Sequence, residues 1–187
     1  PLEDGRVTIS RAALSVEVPA DVMLVAAMNP CPCGYLGDPR HACTCTPLQV
    51  QRYRSRLSGP LLDRIDLHVV VPAVPYGDLA AQGQGLDSAT MREHIAAARA
   101  TQAQRYAGLP LLSNADLSGQ WLERFCALGA AEHRFLEAAV ARLGLSARAY
   151  TRVLRIARTI ADLAGADAIV VPHLAEAINL RTLDRGQ

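Results

Sequence analysis

Four cysteines share one short loop between two apolar runs, and that arrangement limits what the middle of this chain can fold into. The first run, residues 22–28, is continuously apolar, as expected of a central strand covered on both faces. It ends at Asn29-Pro30, where the proline forbids further ladder pairing. The second run, residues 65–71, reads as another sheet strand and is also closed by a proline, Pro72. Between them lie Cys31-x-Cys33 and Cys43-x-Cys45, with Pro32, Gly34, Gly37 and Pro39 on the same loop. Such a loop has too little apolar content to fold by burial. Four thiolates can instead hold a tetrahedral Zn2+, whose binding then orders the chain around it. The one-residue gap within each pair is tighter than the usual spacing, and His41 could replace one sulfur. Reduced, unliganded thiols and a pair of disulfides are the competing readings, the latter unusual inside a cell.

One absence bounds the chemistry. All 19 basic side chains are Arg, so the chain contains no Lys. A Gly-rich phosphate loop of the Lys-Ser/Thr type needs that Lys, and therefore cannot lie here. The formal net charge of +1 gives no bulk pull toward nucleic acid or membrane. No apolar run approaches the ~20 residues of a membrane span, so a cytoplasmic protein without a membrane partner is expected. The start at Pro1-Leu2-Glu3-Asp4 reads like the middle of a domain, and hence a piece of a longer protein.

Along the chain, Val7 and Ile9 alternate with Thr8 and Ser10, and Leu14, Val16 and Val18 with Ser15 and Glu17. That period of two predicts two strands with a turn near Arg11. Thr46-Pro47 is a helix start, with a hydroxyl at the cap and Pro in the first turn. Gly59-Pro60 is expected to stop that helix. Residues 73–87, rich in Pro, Gly and Gln, read as a linker. Beyond it the pattern is helical: Ser88 or Thr90 to about Tyr106, then 117–127, 130–143, a Ser146-capped helix, and a last helix from Pro172 to about Leu180. In the Ser146-capped helix, Tyr150, Val153, Leu154, Ala157, Ile160, Ala161 and Ala164 form the apolar stripe. The opposite face carries Arg148, Arg152, Arg155 and Asp162, of which Arg152 and Arg155 are expected to line a solvated face.

Three polar residues stand apart. Asn29 ends a run read as a buried strand, where open α/β sheets place ligand contacts; it could orient a water or touch a phosphate oxygen, or be a turn residue before Pro. Arg64, just before residues 65–71, suits the charge that spreads over a transferring phosphoryl group, or a salt bridge to Asp63 or Asp66. Arg148 places a cation in the first turn of a helix, against the dipole, which favours an anionic partner. Cys126, alone on an apolar helix, reads as packed.

These segments together resemble a family. Leu2-Glu3-Asp4-Gly5, Val7-Thr8-Ile9-Ser10-Arg11-Ala12, Ala26-Ala27-Met28-Asn29-Pro30-Cys31-Pro32-Cys33-Gly34, Gln51-Arg52-Tyr53-Arg54, Ser58-Gly59-Pro60-Leu61-Leu62-Asp63-Arg64-Ile65-Asp66 and Leu145-Ser146-Ala147-Arg148-Ala149-Tyr150 are similar to the magnesium-chelatase-like AAA+ ATPases of the ComM/YifB type. The resemblance implies the C-terminal part of an AAA+ α/β core (1–76) followed by a helical lid bundle (77–187). It implies a hexameric ring that binds ATP with Mg2+ between subunits, Asn29 as the sensor-1 residue, Arg64 as an arginine finger acting in trans, and Arg148 as the sensor-2 residue. The strand pair around Arg11 resembles the hairpin that precedes sensor 1 and faces the channel in DNA motors. DNA branch migration during natural transformation is the implied activity, with the piece alone inactive because the phosphate loop and the acidic magnesium-binding strand are missing. Two other readings stand beside it: a zinc-stabilised module that binds DNA or protein without an ATPase role, and a subunit of a true magnesium chelatase.

Overall fold

The computed structural model describes residues 5–11, 14–75, 77–78 and 85–181. Leu2, Glu3, Asp4 and Ala12 of the resemblance, the hairpin turn itself and part of the 73–87 linker lie outside them. The architecture is mixed α/β: among the described residues, seven α-helices accompany one two-stranded sheet. The chain divides into two compact units, Pro1–Ile65 and Asp66–Gln187.

In the first unit, β1 (Arg6–Arg11) and β2 (Leu14–Pro19) pair antiparallel, with Val7 opposite Val18 and Ile9 opposite Val16. The alternation gives one apolar face and one polar face. Arg6 is paired with Glu17 and Ser10 Oγ lies 3.0 Å from Ser15 Oγ on the latter. Helix α1 (Pro47–Arg54) starts where Thr46-Pro47 predicts: Thr46 Oγ1 accepts from the Gln49 N–H, and Gln49 Oε1 accepts from the Thr46 N–H at 2.8 Å. This reciprocal cap satisfies two orphan donors. Helix α1 ends at Arg54, short of the expected stop at Gly59-Pro60. Ser58 caps a further short helix, α2 (Gly59–Leu62), because proline fits the first helical turn as well as it breaks an interior one.

Neither apolar run forms a strand. Residues 22–28 have no regular secondary structure, and Met23 is 90% and Val25 83% exposed. In residues 65–71, an isolated parallel bridge from His68 to Arg181 is present, and Val69, Val70 and Val71 face solvent. A continuous apolar run encodes burial, but a strand also needs ladder partners on its flanks. The described residues offer these runs no such ladder.

The second unit is helical: α3 (Ser88–Arg105), a 3-10 turn (Asn114–Asp116), α4 (Gly119–Phe125), α5 (Ala130–Leu143), α6 (Ala147–Leu163) and α7 (Val171–Asn179). Helix α3 begins at Ser88, as expected, and Asp87 caps it by accepting from the Thr90 N–H at 2.7 Å. Gly144 ends α5 at φ 62°, a left-handed conformation that costs a side-chain-bearing residue strain. The core gathers Leu117, Leu136, Val153, Ala157, Leu174 and Ala177. Cys126 is buried in it, as expected, and burial lifts its pKa to about 11.

The reading of Arg152 and Arg155 as a solvated face is wrong, and Asp162 on the same face is buried too. Asp162 is fully enclosed and takes a two-pronged contact from Arg105 (2.9 and 2.5 Å), plus bonds from Arg158 Nε (3.1 Å) and Asn114 Nδ2 (2.9 Å). Tyr106 Oη donates to Asn114 Oδ1 at 2.6 Å. Burial opposes ionisation of Asp162, but the hydrogen bonds from Arg105 and Asn114 prevail and hold its pKa below the usual carboxylate range. Arg152 is buried with its Nε 2.6 Å from Asp66 Oδ1. Half-buried Arg155 donates to the Leu117 carbonyl at 2.7 Å. An Arg stem packs along apolar surface while its head finds an acceptor, and here the acceptors come from distant sequence. No helix among the described residues is long and apolar enough to cross a membrane.

Candidate functional site

The loop after residues 22–28 turns tightly at once. Gly34 N–H donates to the Cys31 carbonyl at 3.0 Å, and Gly34 itself sits at φ 86°, a left-handed angle natural to glycine. This turn brings Cys31 and Cys33 together, and the return of the loop brings Cys43 and Cys45 beside them. All four sulfurs lie within 4.8 Å of one another. The separations are 3.4 Å for Cys31–Cys33, 3.7 Å for Cys31–Cys43 and 3.6 Å for Cys33–Cys43.

Those distances discriminate between the readings. A disulfide would bring two sulfurs to about 2.05 Å, and all four cysteines are free thiols. A tetrahedral zinc with Zn–S bonds of about 2.3 Å gives edges of about 3.8 Å, close to what the sulfurs show. The donor set therefore fits one zinc ion.

The electrostatics agree. The Tyr35 and Thr44 N–H groups draw the Cys33 pKa down to about 5. Burial opposes ionisation of Cys31, yet its pKa is also lowered, with the Leu36 and Gly34 N–H groups helping. The Cys33 N–H favours ionised Cys45, but burial and the neighbouring Cys33 and Cys31 sulfurs push it up to about 12. Cys43 is raised in the same way, against the pull of the Cys45 N–H. Four crowded thiols resist complete ionisation until a cation supplies the compensating charge.

His41 is engaged elsewhere. Asp38 Oδ1 accepts from the Arg40 N–H at 2.6 Å and the His41 N–H at 3.0 Å, and the Tyr35 and His41 rings lie 5.0 Å apart. These contacts brace the outer part of the loop, and the metal-type cluster consists of the four cysteines.

Asn29 is exposed and precedes the loop directly. A Cβ added at Gly34 would lie 3.8 Å from Asn29 Nδ2 and 4.0 Å from its Cγ, so the amide rests over the first turn of the cysteine loop. Arg64, after α2, is half-buried and its Nη1 donates to the Pro60 carbonyl at 3.0 Å. Asp66, one suggested partner for Arg64, gives its carboxylate to Arg152 and its carbonyl to Arg181 Nη1 at 3.1 Å. Arg148 belongs to the second unit, where it is exposed in the first turn of α6. Ser146 Oγ caps that helix by accepting from the Ala149 N–H at 3.1 Å. The fold thus gathers the four cysteines with Asn29 in one unit and places Arg148 in the other.

The comparisons with known proteins decide the family. A sequence model described as magnesium chelatase, subunit ChlI, matches residues 1–79, and one described as magnesium chelatase, subunit ChlI C-terminal, matches residues 85–181. Competence protein ComM of Haemophilus influenzae is 46% identical over 187 residues, which are 99% of this chain and 35% of that protein. The chain belongs to the magnesium-chelatase-like family of the ComM/YifB type. Uncharacterized proteins YifB of Salmonella typhimurium and Escherichia coli are each 42% identical, over 99% of this chain and 36% of their own length. This ComM/YifB-type chain spans about a third of the length of the curated relatives it matches.

Proposed function

We propose that this chain is part of an AAA+ ATPase that works as a hexameric, ATP-driven DNA branch-migration motor in natural transformation. Residues 1–76 serve as the C-terminal portion of the ATPase core and 77–187 as the helical lid. The observation that carries the reading is the family match along nearly the whole chain, with 46% identity to a protein named for competence.

In this reading ATP with Mg2+ binds where two subunits meet in the cytoplasm, and the ion would help to neutralise the phosphate charge. The Asn29 carboxamide orients the attacking water, since an amide can accept from it and donate to a phosphate oxygen at once. Arg64 reaches the neighbouring subunit's nucleotide, where a guanidinium offers several donors to spreading phosphoryl charge. Arg148 supplies a cation from the lid, and the phosphate it meets offsets its unfavourable place at a helix N-terminus. Zn2+ on Cys31, Cys33, Cys43 and Cys45 is structural, since four protein ligands leave no open coordination position.

Arg64→Ala in the full-length protein tests the reading. ATP should still bind while turnover falls by about 10³-fold or more, the usual scale for an arginine finger. Normal hydrolysis by that variant would return Arg64 to a local structural role. Steady ATP turnover by the 187-residue chain alone would contradict the division of labour. Stimulation by branched DNA supports the motor, whereas an ATPase indifferent to DNA would favour a magnesium-chelatase subunit.

A further inference from the structure

The cysteine loop and Asn29 are neighbours in a way that the family assignment does not require. Asn29-Pro30 leads straight into Cys31, whose side chain is fully buried. The Asn29 carboxamide rests over Gly34, the residue that closes the Cys31–Gly34 turn. On its other side Asn29 is preceded by residues 22–28, which carry no regular secondary structure and expose their side chains. Within its unit, the ordered surroundings of this amide are therefore those of the thiol cluster.

We propose that the four-cysteine cluster is a positioning device for Asn29: metal on the thiols fixes the 31–34 turn, and the turn fixes the amide. This rests on the reading of Asn29 as the residue that orients the attacking water. A small displacement of a water-positioning group is costly, because an effective attack needs the reacting atoms aligned as well as close. Loss of metal then slows turnover without weakening nucleotide binding, since the contacts that hold the nucleotide lie largely elsewhere. Cys31, Cys33 and Gly34 act through Asn29 and are positioning residues.

The full-length protein tests this in three forms: wild type, Cys43→Ser and Asn29→Ala. Wild type is also stripped of its bound metal with a chelator, which is then removed, and a portion is given back zinc, with Mg2+ present in every ATP assay. Three quantities are read: ATP turnover at saturation, the affinity for a non-hydrolysable ATP analogue, and amide hydrogen exchange of a peptide covering residues 28–34. Stripping should lower turnover at least tenfold, keep analogue affinity within about twofold and speed exchange in that peptide, with zinc restoring both turnover and protection. Cys43→Ser should match the stripped protein, and the strip-and-restore arm stands even if that variant fails to fold. Stripped wild type with full turnover and unchanged exchange would overturn the inference. If Asn29→Ala is inactive while stripped wild type turns over normally, the positioning inference alone fails. Full turnover by Asn29→Ala would instead overturn the sensor reading and the inference built on it.

Discussion

The two units hold themselves together by different means. The helical unit has a buried apolar centre, with Leu117, Leu174, Ala157 and Ala177 fully enclosed, and a carboxylate clamped by two arginines. The first unit buries little: its hairpin and residues 22–28 present Ile9, Leu14, Val22 and Met23 to solvent, and the most enclosed of its described residues is a cysteine. Burial stabilises in proportion to apolar area removed from water, about 25 cal/mol per Å². A segment that buries little must draw its order from another source. For the 31–45 loop we propose that this source is the ligand chemistry of four thiols. The contrast teaches that apolar burial is concentrated in the helical unit, while the thiol cluster lies in the other.

The sharpest way to break the comparison is metal removal. A chelator should abolish the order of the 31–45 loop, seen as full hydrogen exchange there, while the thermal transition of the helical unit stays in place. Next in size is Asp162→Ala, which leaves half-buried Arg105 and buried Arg158 without their carboxylate. Breaking a buried pair in this way costs about 3–5 kcal/mol, so the helical transition should fall markedly while metal content is kept. The same carboxylate sets an acid limit. Its folded pKa lies below its unfolded value, so its contribution is whole above about pH 4. It is lost as pH falls through the folded value, and an acid titration of helical circular dichroism should show wild type losing more than Asp162→Asn.

Smaller effects sharpen the picture. Gly34→Ala forces a side chain into the left-handed region at a cost of about 1–2 kcal/mol. Because the new methyl meets Asn29 only at ordinary contact distance, the expected result is weaker zinc affinity, by about tenfold, with the loop still formed. A competition titration with a chromogenic chelator measures it. Smallest is Ser146→Ala, which removes the cap of α6 and should cost about 1 kcal/mol in the helical unit, read from denaturant midpoints, with zinc binding unaffected.

Much of the helical unit was legible in the sequence because its signals are local. Ser146 before an apolar stripe marks a terminus within a few residues, as Thr46-Pro47 does in the first unit. The role of Arg152 and Asp162 was not legible, since their partners Asp66 and Arg105 lie 86 and 57 residues away. Periodicity placed them opposite the apolar stripe but could not announce acceptors supplied by distant segments. Residues 22–28 and 65–71 failed for a related reason: composition encodes a wish for burial, whereas a strand is defined by its partner. The thiol cluster was legible as a candidate from spacing alone, but the exclusion of His41 was not. That depended on Asp38 and Tyr35 bracing the loop from outside.

The most direct measurement is elemental analysis of the purified protein alongside its Cys43→Ser variant. The account predicts about one zinc per chain in the wild type and almost none in the variant, with exchange protection of residues 31–45 lost together with the metal. Metal-free wild-type protein whose 31–45 loop remained protected would contradict it.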